Sequence, residues 1–74
     1  MNRTLKEIVT DGVNTKGSTS DLAKLANVSE PLVVKVKGGH IPKPRNAYRI
    51  ALACDCSEQE ARAYSQASEG AKTA

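Results

Sequence analysis

The 74-residue sequence predicts an all-α fold, a compact bundle of about five short helices forming one domain over residues 1–74. Three observations carry that prediction. Apolar residues recur at helical rather than alternating spacing along the chain. Ser18, Ser29 and Ser57 each stand just before such a stretch, where a hydroxyl can cap free backbone N–H groups. With no Trp or Phe and only two Tyr, the core must be aliphatic, which suits short packed helices better than a sheet.

Residues 1–3 are expected to be frayed. Thr4 to about Val13 reads as the first helix, with Leu5, Ile8, Val9 and Val13 on one stripe and Gly12 weakening its end. Residues 14–17 read as a polar connection. The second helix opens at Ser18, with Asp21 at capping-box spacing, and carries Leu22, Ala23, Leu25 and Ala26 at helical positions. Asn27 is the usual non-glycine choice where the backbone turns left-handed. Val28 follows, Ser29 is a second N-cap, and Pro31 occupies the first turn of the third helix, where its missing N–H costs little. Leu32, Val33 and Val36 supply apolar contacts, and Gly38-Gly39 ends the helix.

Residues 39–43 form a loop in which Ile41 is expected to point inward as a plug. Pro44 starts a fourth helix that runs to about Cys54, with Ala47, Ile50, Ala51 and Cys54 as its apolar stripe and Tyr48 at the edge. Asp55 breaks the pattern in a left-handed conformation that Asp tolerates. Ser57 with Glu60 caps a fifth helix to about Ser68, with Ala61, Tyr64 and Ala67 on one side. Residues 69–74 read as a loose tail. No internal repeat and no long linker is expected.

Residues 18–39 have the spacing of a helix-turn-helix: Ala23 is small enough for close approach, and Val28, Val33 and Val36 fall where the two helices must lock. LAKLANVS is similar to the LA-x-LAGVS pattern of the lambda repressor and Cro-like helix-turn-helix family, with Asn27 in place of the turn glycine. Downstream, GGHIPKPRNAYRIALACDCS resembles the same family's G-x-x-x-(K/R)-P-(K/R)…IA-x-ALGVS segment without a gap, with Asp55 where the family usually has Gly. The resemblance covers residues 18–57 and implies a lambda repressor-like fold whose third helix enters the DNA major groove.

On that resemblance, Ser29, Glu30 and Pro31 lie nearest the bases, with Leu32 beside them and Lys35 one turn further on. No Gln, Asn or Arg on this face offers a bidentate contact to adenine or guanine. Glu30 can accept from cytosine N4, or it is simply a first-turn acid that suits the helix dipole. Leu32 and Val34 can pack on thymine methyls. Thr19, Lys37, His40, Lys43 and Arg45 cluster around one edge of the unit and are expected at phosphates, the last two at the start of the fourth helix. Lys6, Lys16, Arg49 and Lys72 are read as plain surface charge.

The formal charge of +3 and pI near 9.1 are compatible with a polyanionic partner without demanding one. No apolar run approaches a membrane span and no signal peptide is expected, so the expected compartment is cytoplasmic. Cys54 and Cys56 are too few and too close for a disulfide framework, and Cys54 reads as a buried thiol. Zinc would need about four ligands, and the single His40 is distant. No metal or cofactor is therefore expected. Neither is an enzyme, since no nucleophile–base pair or glycine-rich phosphate loop stands out.

The leading expectation is a sequence-specific DNA-binding transcriptional regulator of a phage or mobile element, resembling Cro and repressor proteins. A chain of this length would dimerise through its own fold, with Tyr64 and Ala61 of the fifth helix as the expected surface, or bind as a monomer. The alternatives are a recombination directionality factor on the same fold and a protein-interaction module that docks a partner through Leu32 and Val34.

Overall fold

A computed structural model describes residues 4–73, with side chains described for residues 4–68. It contains α1 (Leu5–Lys16), α2 (Thr19–Ala26), α3 (Glu30–Lys37), α4 (Pro44–Ala53) and α5 (Glu58–Thr73), with no strand among the described residues. The expectation that residues 1–3 are loose lies outside the described residues. The radius of gyration of 10.8 Å matches the roughly 11 Å of a compact 74-residue chain.

Local chemistry starts and stops each helix. Thr4 opens α1 with a reciprocal capping box: its hydroxyl oxygen accepts from the Glu7 N–H at 3.2 Å, and the Glu7 carboxylate accepts from the Thr4 N–H at 2.9 Å. Ser18 caps α2 by accepting from the Asp21 N–H at 3.1 Å, without a return bond. Ser57 and Glu60 form a complete box at α5, both bonds 3.1 Å.

The helix ends follow one rule. Gly17, Asn27, Gly39 and Asp55 have positive φ, and each directly follows or closes a helix C-terminus. After α2, α3 and α4 the chain forms a Schellman motif, whose long 6→1 bonds run from the N–H of Val28, His40 and Cys56 to the carbonyls of Ala23, Lys35 and Ala51, at 3.0, 2.9 and 3.1 Å. α1 ends on the simpler single bond, Gly17 N–H to Val13 O at 3.0 Å.

Two of these helices run further than expected. α1 continues through Gly12 to Lys16, and the hydroxyls of Thr10 and Thr15 donate back to the carbonyls of Lys6 and Asp11 at 2.9 and 2.8 Å. The polar connection shrinks to Gly17 and Ser18. The predicted tail is helical as far as Thr73.

The core has two adjoining parts. Val9 and Val13 of α1, Leu22, Ala23 and Ala26 of α2, Val33 and Val36 of α3, and Ile50 of α4 form the larger one. Ile8, Ala51 and Ala61 form the smaller one between α1, α4 and α5, and Leu5 and Cys54 pack against both. Leu22, Ile50, Val9, Val33 and Val36 are its largest fully buried side chains, each contributing about 1.5–3 kcal/mol by burial. Gly12 is buried rather than a terminator: a Cβ there would lie 2.7 Å from Cys54 Sγ, so a larger residue would force that side chain or α1 to shift.

Ile41, expected inside, is outside, and so is Leu25, which shares the helical spacing of its buried neighbours. Leu25 is 61% exposed and Ile41 is 55% exposed. Leu25 sits on the flank of α2 opposite Leu22, Ala23 and Ala26, and no helix covers it. The place expected for Ile41 is taken by Pro42, which is buried and whose carbonyl accepts from the buried Ser68 hydroxyl. That contact ties α5 to the loop ahead of α4. Among the described residues, no helix is long and apolar enough to cross a membrane, and no group of three or more His, Cys, Asp or Glu side chains could hold a metal ion. Neither thiol is in a disulfide, and both are half-buried against the smaller core.

Candidate nucleic-acid interface

Charge is not spread evenly over this fold. The stretch from Leu22 to Cys54 holds six Lys or Arg and one acid, Glu30, whereas the rest of the chain holds five basic and seven acidic residues. The whole positive excess therefore belongs to α2, α3, α4 and the turns joining them. Outside that stretch two of the three described cations are engaged: Lys16 pairs with Asp55 at 2.9 Å and Arg62 with Glu58 at 3.0 Å, while Lys6 has no ion pair among the described residues. Lys24, Lys35, Lys37, Lys43, Arg45 and Arg49 have no such partner among the described residues.

Helix starts divide in the same way. α1, α2 and α5 are capped by the side chains of Thr4, Ser18 and Ser57. α3 and α4 begin at Ser29 and Lys43 with no side-chain cap bond, and each has Pro in its first turn. Their remaining first-turn N–H groups, together with the aligned peptide dipoles, favour an anion. The two helices without side-chain caps also carry most of the cations without an ion pair, although Lys6 of α1 and Lys24 of α2 have none either among the described residues. Ser29 holds the N-cap position it was expected to hold but lacks the expected bond.

The residues singled out in the sequence fall into three groups. Ser29, Glu30, Pro31 and Lys35 are exposed along α3, and Lys37, His40, Lys43 and Arg45 are exposed from the end of α3 to the start of α4. The His40 side chain is exposed while its backbone N–H closes the Schellman bond to Lys35. Thr19 and Glu30 are occupied with each other, the Thr19 hydroxyl donating to the Glu30 carboxylate at 3.1 Å. That bond joins the first residues of α2 and α3. A Thr19 hydroxyl donating there does not also donate to a phosphate.

Leu32 is half-buried and packs against the larger core, whereas Val34 is 53% exposed, so Val34 is the open apolar side chain of the pair. Ala61 and Tyr64 are not a free surface. Ala61 is fully buried with Ile8 and Ala51, and Tyr64 is half-buried against that same cluster, so the face they share faces inward.

Lys24 and Arg49 also belong to the unpaired basic set, although the sequence reading passed over Lys24 and took Arg49 as plain surface charge. A running count of charge along the chain would have found both. Comparison with protein-family models, with curated proteins and with solved structures gave no match.

Proposed function

We propose that this chain is a sequence-specific double-stranded DNA-binding regulator and not an enzyme, acting on transcription from the cytoplasm or nucleoid of a bacterial cell. In this reading α2, the turn at Asn27 and α3 act as a lambda repressor-like helix-turn-helix, with α3 in the major groove. The observation that carries it is a partial coincidence of two patterns: five of the seven described cations without an ion pair, Lys35, Lys37, Lys43, Arg45 and Arg49, lie on or beside α3 and α4, the two helices that start without a side-chain cap. Lys43 and Arg45 then meet phosphate beside the open start of α4, with Lys37 and His40 on the same edge. The Thr19–Glu30 bond sets the orientation of Glu30 at the start of the reading helix. With the Tyr64 and Ala61 face used internally, an operator made of two half-sites would be bound by copies that meet through another surface.

A second reading rests on the exposure of the aliphatic side chains of Leu25, Val34, Ile41 and Leu52. In it, the same fold is a protein-interaction module.

Selection from random duplex DNA at moderate salt, followed by titration at several salt concentrations, separates the two. The DNA reading expects an enriched site and affinity that falls steeply with salt. Replacing Lys43 and Arg45 together with Ala should weaken specific and non-specific duplexes alike and flatten the log–log salt slope by about two units. An unchanged slope would remove this edge from the interface.

A further inference from the structure

α3 turns one ridge away from the core. Val33 and Val36 are buried, and Pro31, Val34, Lys35 and Gly38, at i, i+3, i+4 and i+7, stand exposed on the opposite face. The chemistry of that ridge is narrow. It has no side-chain hydrogen-bond acceptor, one donor in Lys35, and two apolar surfaces in Pro31 and Val34. The neighbours that would broaden it lie elsewhere: Leu32 packs on the core, and Glu30 sits to one side with its carboxylate bonded to Thr19.

The unpaired cations around this ridge suit a polyanion, and the ridge itself suits an apolar contact within it. In the major groove of duplex DNA, the apolar group that distinguishes one base pair from another is the thymine C5-methyl. Building on the DNA-binding reading above, we infer that the chain selects its site chiefly through thymine methyl groups packed against Val34 and Pro31. Lys35 adds one donor contact, to guanine O6 or N7. Sequence preference is then a small number of weak methyl contacts, in place of the bidentate hydrogen bonds this face cannot make.

The test uses the full chain and a duplex enriched from a random pool. Each thymine is replaced singly by deoxyuridine, which removes the C5-methyl and leaves every hydrogen-bonding group. Expected is about fourfold weaker binding at the contacted positions, the worth of one buried methyl group, and no change elsewhere. In Val34→Ala, an exposed and therefore structurally mild change, the thymine–uracil difference should vanish at one position while the melting temperature and salt slope stay those of the parent. Equal affinity for thymine and uracil at every position, with sequence-selective binding intact, would overturn methyl selection and leave the DNA reading standing. Failure to bind any duplex at low salt would overturn both, and Val34 and Pro31 would then be surface for a protein partner.

Discussion

Residues 22–30 and residues 50–58 build the same corner twice. Leu22, Ala23, Ala26, Asn27, Val28, Ser29 and Glu30 correspond to Ile50, Ala51, Cys54, Asp55, Cys56, Ser57 and Glu58. In both, a helix ends on a left-handed Asn or Asp, with φ of 58° and 67°, and a Schellman bond follows. An apolar or thiol side chain then folds back on the core, and a Ser at the N-cap position starts the next helix. This is a local repeat that the sequence reading did not expect, because only Ala, Ser and Glu recur as identical residues in those matched positions.

The corners differ three residues after the Ser. Glu60 completes the box at the α4–α5 corner, whereas the matching residue at the α2–α3 corner is Leu32, which has nothing to return. The Asp of the α4–α5 corner is also tied to α1 through Lys16, while Asn27 has no charge to tie. One corner satisfies its own polar groups. The other leaves a helix start without a side-chain cap, on a helix whose last turn carries Lys35 and Lys37. The difference teaches that the same backbone turn serves as scaffold or as contact surface according to one or two capping side chains.

The largest effect should come from just past each corner, at Val33 and its counterpart Ala61, both fully buried. An unpaired carboxylate in either place costs several kcal/mol, against a total of about 5 for so small a domain. Val33→Asp and Ala61→Asp should each abolish the cooperative thermal transition. A parent-like melt for Ala61→Asp would mean that α5 is dispensable to the core.

Next comes the contact that only the α4–α5 corner has. Cys54 occupies the place of Ala26, and its sulfur fills the space above Gly12. Gly12→Ala should destabilise by about 1–3 kcal/mol through overpacking. Cys54→Ala in the same chain should recover most of that, because the Cys54 Cβ lies at an ordinary 3.6 Å from the added methyl. A double-mutant cycle of thermal melts measures the coupling, and strict additivity would contradict the crowding.

Smaller effects test the caps themselves. Ser57→Ala should cost about 1 kcal/mol, some 4–8 °C in melting temperature, and Ser29→Ala only a few tenths. Equal losses would show that Ser29 caps α3 after all. Smallest of all is Asp55→Asn, which keeps a residue able to adopt the left-handed turn and removes only the exposed carboxylate paired with Lys16. It should cost under about 1 kcal/mol and nothing in 1 M salt.

Much of the fold was legible from local chemistry. Ser18, Asn27, Pro31, Pro44, Asp55 and the Ser57–Glu60 pair mark helix boundaries because caps and left-handed turns depend on residues within a few positions. What was not legible depends on distant neighbours. Leu25 obeys the helical period of α2, but α1, α3 and α4 cover only the Leu22–Ala23–Ala26 side. Gly12 looks like a helix breaker by propensity, and its reason for being there stands more than forty positions away in Cys54. The exposed residues of the candidate interface were mostly named in advance, but Leu32 and Val34 exchanged importance, since period alone does not say how far α2 shields the side of α3. The Thr19–Glu30 bond likewise spans two helices and leaves no mark in either one.

The buried hydroxyl of Ser68 on the Pro42 carbonyl has a consequence for how the molecule is made. Synthesis delivers the chain from its N-terminus, so Pro42, Lys43 and Arg45 emerge well before the serine that anchors them. Until α5 docks, the loop ahead of α4 lacks that tether. A helix made later thus completes the seat of a loop made long before it, and a nascent chain halted ahead of Ser68 would carry that loop without its tether.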